Sequence, residues 1–441
     1  MEPGDAAAMA ERFDAVIIGA GVIGAAVGLE LARRGLRTLN LDALPAAGYG
    51  ATSASAAVIR VYYSTRHGTV LAYEGLHYWR HWAEHLELPS DVALARFHEC
   101  GSVVIKTADN QELRPVCARM AELGIPFEDW DPDRLRRELP FYDLGRYAPP
   151  RRPDDPAFGD RDGEITGAVL FPTCGYVDDP QLAARNLQQA AERHGAKFRF
   201  RAAVTAIREA GARVVGVTLA DGTRVDAPVV VNVAGPHSAV LNRMAGVEAE
   251  MSVRTRPLRQ EVAWVPAPPG VDFTTRPLIC ADADVGCYWR SDSGNRLMIG
   301  SLEPACDRLE WVDPDEWNRE LTEQWTAQVY RAALRIPTLP IPQQATGIAA
   351  LYDVSDDWIP IYDRAGLGGW YMAVGTSGNQ FKNAPLVGAL MAELILSSEA
   401  GHDHDREPVR VKGRFTGLEL DLGFFSRRRQ VHRESSFSVL G

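Results

Sequence analysis

The sequence predicts an α/β plus α+β architecture, in which a Rossmann-like dinucleotide-binding domain is joined to a second domain built on a largely antiparallel β-sheet. Three observations predict it. Residues 13–42 read as strand, glycine turn, helix and second strand; residues 370–396 repeat the strand, turn and helix; and residues 253–300 alternate in short strands. At 441 residues the chain exceeds one typical core. The expected division is 9–100, 165–250 and 345–400 for a discontinuous dinucleotide-binding domain, 101–164 and 251–344 for a substrate domain, and 401–441 for a C-terminal tail.

The first unit is the most specific. An apolar run at 15–18 reads as a buried parallel strand, and Gly19, Gly21 and Gly24 form a GxGxxG turn opening a helix over 22–34. Gly19 permits the tight turn, Gly21 lets a pyrophosphate approach the backbone, and Gly24 lets helix and strand pack closely. Free amides at the helix start face the diphosphate. Asp42 ends the second strand, roughly 20 residues on, where a carboxylate accepts from both ribose hydroxyls. That favours FAD or NAD over NADP.

Residues 45–57 form a small-residue loop suited to lying against a cofactor. A helix over 69–86 puts Leu71, Tyr78, Trp82 and Leu86 on a core face and leaves His67, His77, His81 and His85 on solvent-facing positions rather than as metal ligands. A strand at 101–106, a helix at 111–123 and a helical turn at 131–138 follow. Four prolines and mixed charge make 145–164 a long loop, either a mobile surface insertion or a lid. Next come a helix at 181–194, strands at 197–207 and 213–219, a turn at Asp221 and Gly222, and a strand at 229–233, after which Ala234 and Gly235 bring backbone close to the cofactor. Strands at 258–265, 286–290 and 296–299 belong to the antiparallel sheet, and a helix spans 315–334. The second glycine turn, 375–378, should face the cofactor ring.

Composition excludes several classes. A net charge of −11 argues against binding a phosphate backbone. No apolar stretch approaches the roughly 20 residues needed to cross a bilayer, and residues 1–12 lack a basic start and a signal core. Six cysteines without metal-ligand spacing read as reduced thiols, so no metal is expected and a cytoplasmic location is the default.

Four segments in order, GAGVIGAA at 19–26, GATSASAAVIRVYY at 50–63, NVAGPHS at 232–238 and GTSGNQFKNAPLVG at 375–388, carry a family resemblance. The chain resembles the FAD-dependent amine and amino-acid oxidoreductases of the D-amino-acid oxidase superfamily, in the sarcosine oxidase and dimethylglycine oxidoreductase branch. The resemblance implies extended FAD, with Asp42 on the adenosine ribose, Ser53 and Ser55 near the diphosphate or flavin, Val204 beside the adenine, and Gly375, Gly378, Asn379 and Gln380 along the isoalloxazine. It implies that Arg60 and Lys382 hold a substrate carboxylate, the alternative being that Arg60 pairs with a structural acid and Lys382 with the flavin.

Three departures qualify the match. Ala350 stands where sarcosine oxidases place the cysteine bonded to flavin, which implies non-covalent FAD. Met298 falls near the lysine that speeds reaction with oxygen, which favours a dehydrogenase over an oxidase. Leu302 replaces a substrate-pocket histidine. Tyr288 and Trp289 lie on a strand reaching the pocket and read as packing residues.

The reaction implied is oxidation of the C–N bond of a small amino acid, N-substituted or secondary, by hydride transfer to flavin N5, giving an imine that hydrolyses. Electrons then pass to oxygen or to an acceptor protein. The rival reading is an FAD-binding subunit of a hetero-oligomeric complex without turnover of its own, with the 145–164 loop and the tail as partner surfaces. Leu420, Leu422, Phe424 and Phe425 predict that the tail packs on the protein despite its basic run Arg427 to Arg429.

Overall fold

The computed structural model describes residues 11–440. Residues 1–10, most of the segment read as lacking a signal core, and Gly441 of the tail lie outside the described residues.

Burial on both faces explains the continuous apolar strands of the first unit. A six-stranded sheet runs in the order Lys197–Arg199, Thr38–Leu41, Ala15–Ile18, Val229–Asn232, Trp370–Val374, Ile361–Arg364, and only the last strand is antiparallel to its neighbour. Helix Val22–Arg33 packs against helices Pro180–Arg193 and Ala384–Glu399. The last contact is backbone-close: a Cβ on Gly388 would stand 2.6 Å from the Ala26 carbonyl oxygen.

The second large sheet is the antiparallel one. It runs Glu310–Trp311, Thr255–Pro266, Arg296–Ser301, Cys287–Asp292, Ile279–Asp282, Ser102–Ile105, Ala168–Phe171, Glu128–Trp130, with Gly347–Ser355 also paired to Thr255–Pro266. Its one parallel pair joins Ile279–Asp282 to Ser102–Ile105. Helix Glu323–Arg335 covers one face, burying Trp325, Val329 and Ala332 against Trp289, Leu297 and Ile299. Ala168–Phe171 and Gly347–Ser355 thus run in this sheet, although their sequence segments were assigned to the dinucleotide unit.

Four elements differ from the sequence expectation. The strand expected over 197–207 divides between two sheets, because Arg201 adopts φ +54° and the Ala202 amide turns to the Asp42 carbonyl at 2.9 Å. The helix expected from 315 begins only at Glu323, where Thr322 accepts from the Gln324 amide; the Asn318 carbonyl is drawn off by buried Arg259 at 2.7 Å. The helix over 69–86 is two, Arg66–Arg80 and Trp82–Leu86, and the second buries His85 between Tyr78 and Trp82 instead of exposing it. The helix expected over 111–123 opens as a 3-10 turn, Gln111–Leu113, before Arg114–Glu122.

The 145–164 loop is pinned to the second sheet. Gly145 bridges Glu164, the Tyr147 amide donates to Asp284 at 2.8 Å, and Arg335 of the covering helix reaches the Gly145 carbonyl. The tail packs as expected: Leu420, Leu422 and Phe425 are buried, and Arg427 pairs with Asp363 and Asp405. No helix among the described residues is long and apolar enough to cross a membrane.

Candidate active site

The first glycine turn is dictated by crowding. Gly19 sits at φ +124°, and a Cβ there would lie 2.5 Å from the Val233 carbonyl oxygen; one on Gly24 would lie 2.3 Å from the Gly19 carbonyl oxygen. The turn places the start of helix Val22–Arg33 beside the 45–57 loop. Thr52, which the sequence reading passed over for its neighbours, accepts from the Val22 amide at 3.1 Å and stands 3.1 Å from where a Gly21 Cβ would be. Ser53 and Ser55 instead bond their own loop, Ser53 Oγ donating to the Gly50 carbonyl and Ser55 Oγ accepting from the Ala57 amide. Asp42 accepts from the Ala20 amide at 2.7 Å and the Leu44 amide at 2.8 Å, while burial pushes its carboxyl above the usual range. Val204 pairs with Leu219 and is half-buried against the core beneath the parallel sheet. Beyond Ala234, Gly235 adopts φ +56° with open space where a side chain would be.

The second glycine turn faces this one across the Ala234 segment. Asp353, fully enclosed and pushed up to about 7 by burial, accepts from the Gly375 amide at 2.7 Å and holds the turn. Gly375 and Gly378 both adopt positive φ. Gln380 accepts from Tyr362 Oη at 2.8 Å and donates to Asn379, whose buried Nδ2 has no partner. A helix N-terminus and an unpartnered buried amide as donors, a carboxylate at the second strand as acceptor, and an uncrowded Gly235 form a set that suits a dinucleotide with a ring at its far end.

Arg60 and Lys382 come together although 322 positions separate them (382 − 60). Arg60 follows the short strand Val58–Ile59, which pairs with Gly175–Val177. Lys382 lies in the turn Phe381–Asn383 that opens helix Ala384–Glu399, braced by Trp79, whose Nε1 donates to the Lys382 carbonyl at 2.7 Å. Tyr63 links them. Its hydroxyl accepts from Lys382 Nζ at 2.9 Å, and its ring lies 4.1 Å from the Arg60 guanidinium. Both cations are buried.

Neither has a counter-ion among the described residues. The other buried arginines all do: Arg259 pairs with Glu261, Arg290 with Asp292, Arg331 with Asp307, Arg335 with Asp282, Arg427 with Asp363 and Arg429 with Asp357. Arg60 donates only to carbonyls, those of Tyr62 and Val439. Burial, then the field of Arg60, holds the Lys382 ammonium well below its ordinary pKa. Two like-charged groups kept dry without a carboxylate are costly on their own, and an anion placed between them would offset that cost.

On the substrate sheet, Ala350 lies opposite Gln260, and Met298 lies opposite Arg290. Trp289 is buried in the second core, whereas Tyr288 turns to the other face with Tyr352. Leu302 is buried, its amide on the Gly286 carbonyl at 3.1 Å. The six cysteines are unpaired, and the described residues contain no group of His, Cys, Asp and Glu that could hold a metal ion.

Comparison with known proteins identifies a family and a shared fold. The model of the DAO family, FAD dependent oxidoreductase, matches residues 14–394. Glycine oxidase from Geobacillus kaustophilus (strain HTA426) is 25% identical over 405 residues, 90% of this chain and 96% of that enzyme. Sarcosine oxidase subunit beta from Rhodobacter capsulatus is 29% identical over 197 residues, 44% of this chain and 42% of the subunit. The crystal structure of L-proline dehydrogenase from P. horikoshii superposes with a TM-score of 0.75 at 19% identity, covering 96% of this chain and 98% of that one.

Proposed function

The chain belongs to the family of FAD dependent oxidoreductases, and on that footing we propose that it oxidises the C–N bond of a small amino acid, N-substituted or secondary, to an imine that water hydrolyses. FAD, when bound, supplies the acceptor for the electron pair of the C–H bond next to the nitrogen. Everything else is positioning. Asp42, Ala234, Gly235, Val204 and the start of helix Val22–Arg33 would hold the adenosine and diphosphate, with Ser53 and Ser55 shaping the loop that covers them; Gly375, Gly378, Asn379 and Gln380 would line the ring. Ala350 carries no nucleophile, so FAD is held without a covalent bond.

The observation that carries the reading is the pair of buried cations without counter-ions, Arg60 and Lys382, at the second glycine turn. A substrate carboxylate supplies the missing charge, accepted by Arg as a fork and by Lys as a point charge. Anchoring that end fixes which C–H bond faces the ring. The names of the glycine oxidase and sarcosine oxidase subunit relatives support an amino-acid substrate. Dehydrogenase chemistry is favoured over oxidase chemistry because Met298 offers no cation to an oxygen anion and the nearby Arg290 is committed to Asp292. Unpaired thiols suit a reducing compartment, in keeping with a cytoplasmic enzyme.

Anaerobic mixing of the yellow protein with a panel of amino and N-methylamino acids tests the proposal. Bleaching of the flavin band by a member of the panel is expected. No bleaching by any of them, with other chains copurifying, would instead make this an FAD-binding subunit of a larger complex, a reading prompted by the sarcosine oxidase subunit.

A further inference from the structure

The tail returns to the site at Val439. Its carbonyl oxygen accepts from Arg60 Nη2 at 2.8 Å, and its amide donates to Glu303 Oε2 at 3.0 Å. One residue's N–Cα–C=O therefore spans the space between a cation and an acid. Those are the atoms that an α-amino acid presents between its amine and its carboxylate.

Glu303 is built for that position. It follows strand Arg296–Ser301 at φ +52°, an unfavourable conformation for a side-chain-bearing residue, and Ser301 Oγ fixes it by accepting from its amide at 3.1 Å. Gln260 Nε2 donates to its other oxygen at 3.2 Å. Tyr288 and Tyr352 face it from the neighbouring strands, and the two further charges that act on it, Asp307 and Arg331, are paired with each other at 2.6 Å. No cation among the described residues forms an ion pair with it. Tyr352 also lies 2.5 Å from where a Gly378 Cβ would be, so this wall meets the glycine turn that directly precedes the Phe381–Asn383 turn carrying Lys382.

We propose that Glu303 binds the substrate's amino group opposite the Arg60 and Lys382 carboxylate clamp and accepts its ammonium proton. One N–H proton passes to a carboxylate oxygen, the nitrogen keeps the electron pair, and the neutral amine that forms assists loss of the adjacent C–H bond. This rests on the reading of the protein as an amino-acid oxidoreductase. Burial pushes the Glu303 carboxyl up to about 8, which brings it toward the amine it would deprotonate. Val439 stands in for the substrate in the described structure and must withdraw when substrate enters.

The test compares the wild-type holoenzyme with Glu303→Gln by anaerobic flavin reduction across pH, and by the spectral shift that propanoate, a carboxylate without an amine, produces in oxidised flavin. The Gln variant should reduce about 100-fold more slowly near neutral pH, exchange the wild-type acid limb for one that follows the substrate amine's own more alkaline titration, and bind propanoate within about twofold of wild type. An unchanged rate and limb would overturn the role of Glu303 while leaving the enzyme reading intact. Wild-type flavin that no amino acid reduces would remove the enzyme reading and this inference with it. Should the Gln variant misfold, Glu303→Asp keeps the carboxyl but withdraws it; slower reduction with the limb retained is expected, and an unchanged rate overturns the proposal.

Discussion

Replacing Lys382 with methionine should move ligand affinity and stability in opposite directions. Lys382 is 2% exposed, and its ammonium is held by the Tyr63 hydroxyl at 2.9 Å and the Asn379 carbonyl, with no carboxylate near. A charge-assisted hydrogen bond to a bound carboxylate contributes about 1.5 to 3 kcal/mol, which is roughly 10- to 150-fold in Kd at about 1.4 kcal/mol per tenfold. In the ligand-free protein the charge is a cost, because it is desolvated and repelled by Arg60. Methionine removes that cost without orphaning a neighbour, since Tyr63 Oη still donates to the Asn379 carbonyl at 3.1 Å. The variant should therefore retain FAD, melt at the wild-type temperature or above it, and bind acetate at least tenfold more weakly by flavin absorbance titration. The sign with pH follows. A lowered ammonium pKa means that carboxylate binding must restore the proton at alkaline pH, so wild-type affinity falls as pH rises through that lowered value and the methionine variant shows no such fall. Unchanged acetate affinity together with a lowered melting temperature would make Lys382 a structural residue and refute the reasoning.

Two further outcomes are expected. Acid precipitation should leave free yellow FAD in the supernatant, because Ala350 cannot form a thioether; colour remaining in the pellet would contradict non-covalent binding. His85, held to about 4 by burial and then by Arg33, is charged more readily in the unfolded chain, so its stabilising contribution is present above pH 6.5 and lost as pH falls toward 4. Urea unfolding at pH 7 and 4.5 should show wild type losing about 2 to 3 kcal/mol more than His85→Gln, and equal losses would dismiss His85 as an acid-sensitive group.

The dinucleotide unit was legible because its signals are local: a buried strand, three glycines and an acid follow one another within 30 positions, from 13 to 42. Arg60 and Lys382 were legible as candidates through the segments around them, but their convergence on Tyr63 was not, since it depends on two strands and a helix start meeting in space. Thr52 was hidden by its own loop, where Ser53 and Ser55 are equally suitable by residue type and only the fold decides which hydroxyl meets the helix. Glu303 gave no signal beyond lying next to Leu302, because what marks it is enclosure by strands distant in sequence and by the tail. The helix expected from residue 315 failed for a related reason: a buried arginine claims a carbonyl that a helix would need. His85 was misjudged because helical spacing says which residues share a face, not whether a later segment covers it.

The order of strands in the six-stranded sheet bears on how the protein is made. Strand Ala15–Ile18 pairs early with Thr38–Leu41 but gains its other neighbour only with Val229–Asn232, which in turn waits for Trp370–Val374, and the buried face of helix Val22–Arg33 is covered first by helix Pro180–Arg193 and completed by helix Ala384–Glu399. A ribosome therefore releases the first apolar helix long before its last partner exists. Until helix Ala384–Glu399 emerges, a newly made chain exposes part of that apolar face, the condition under which large domains are prone to aggregate during synthesis.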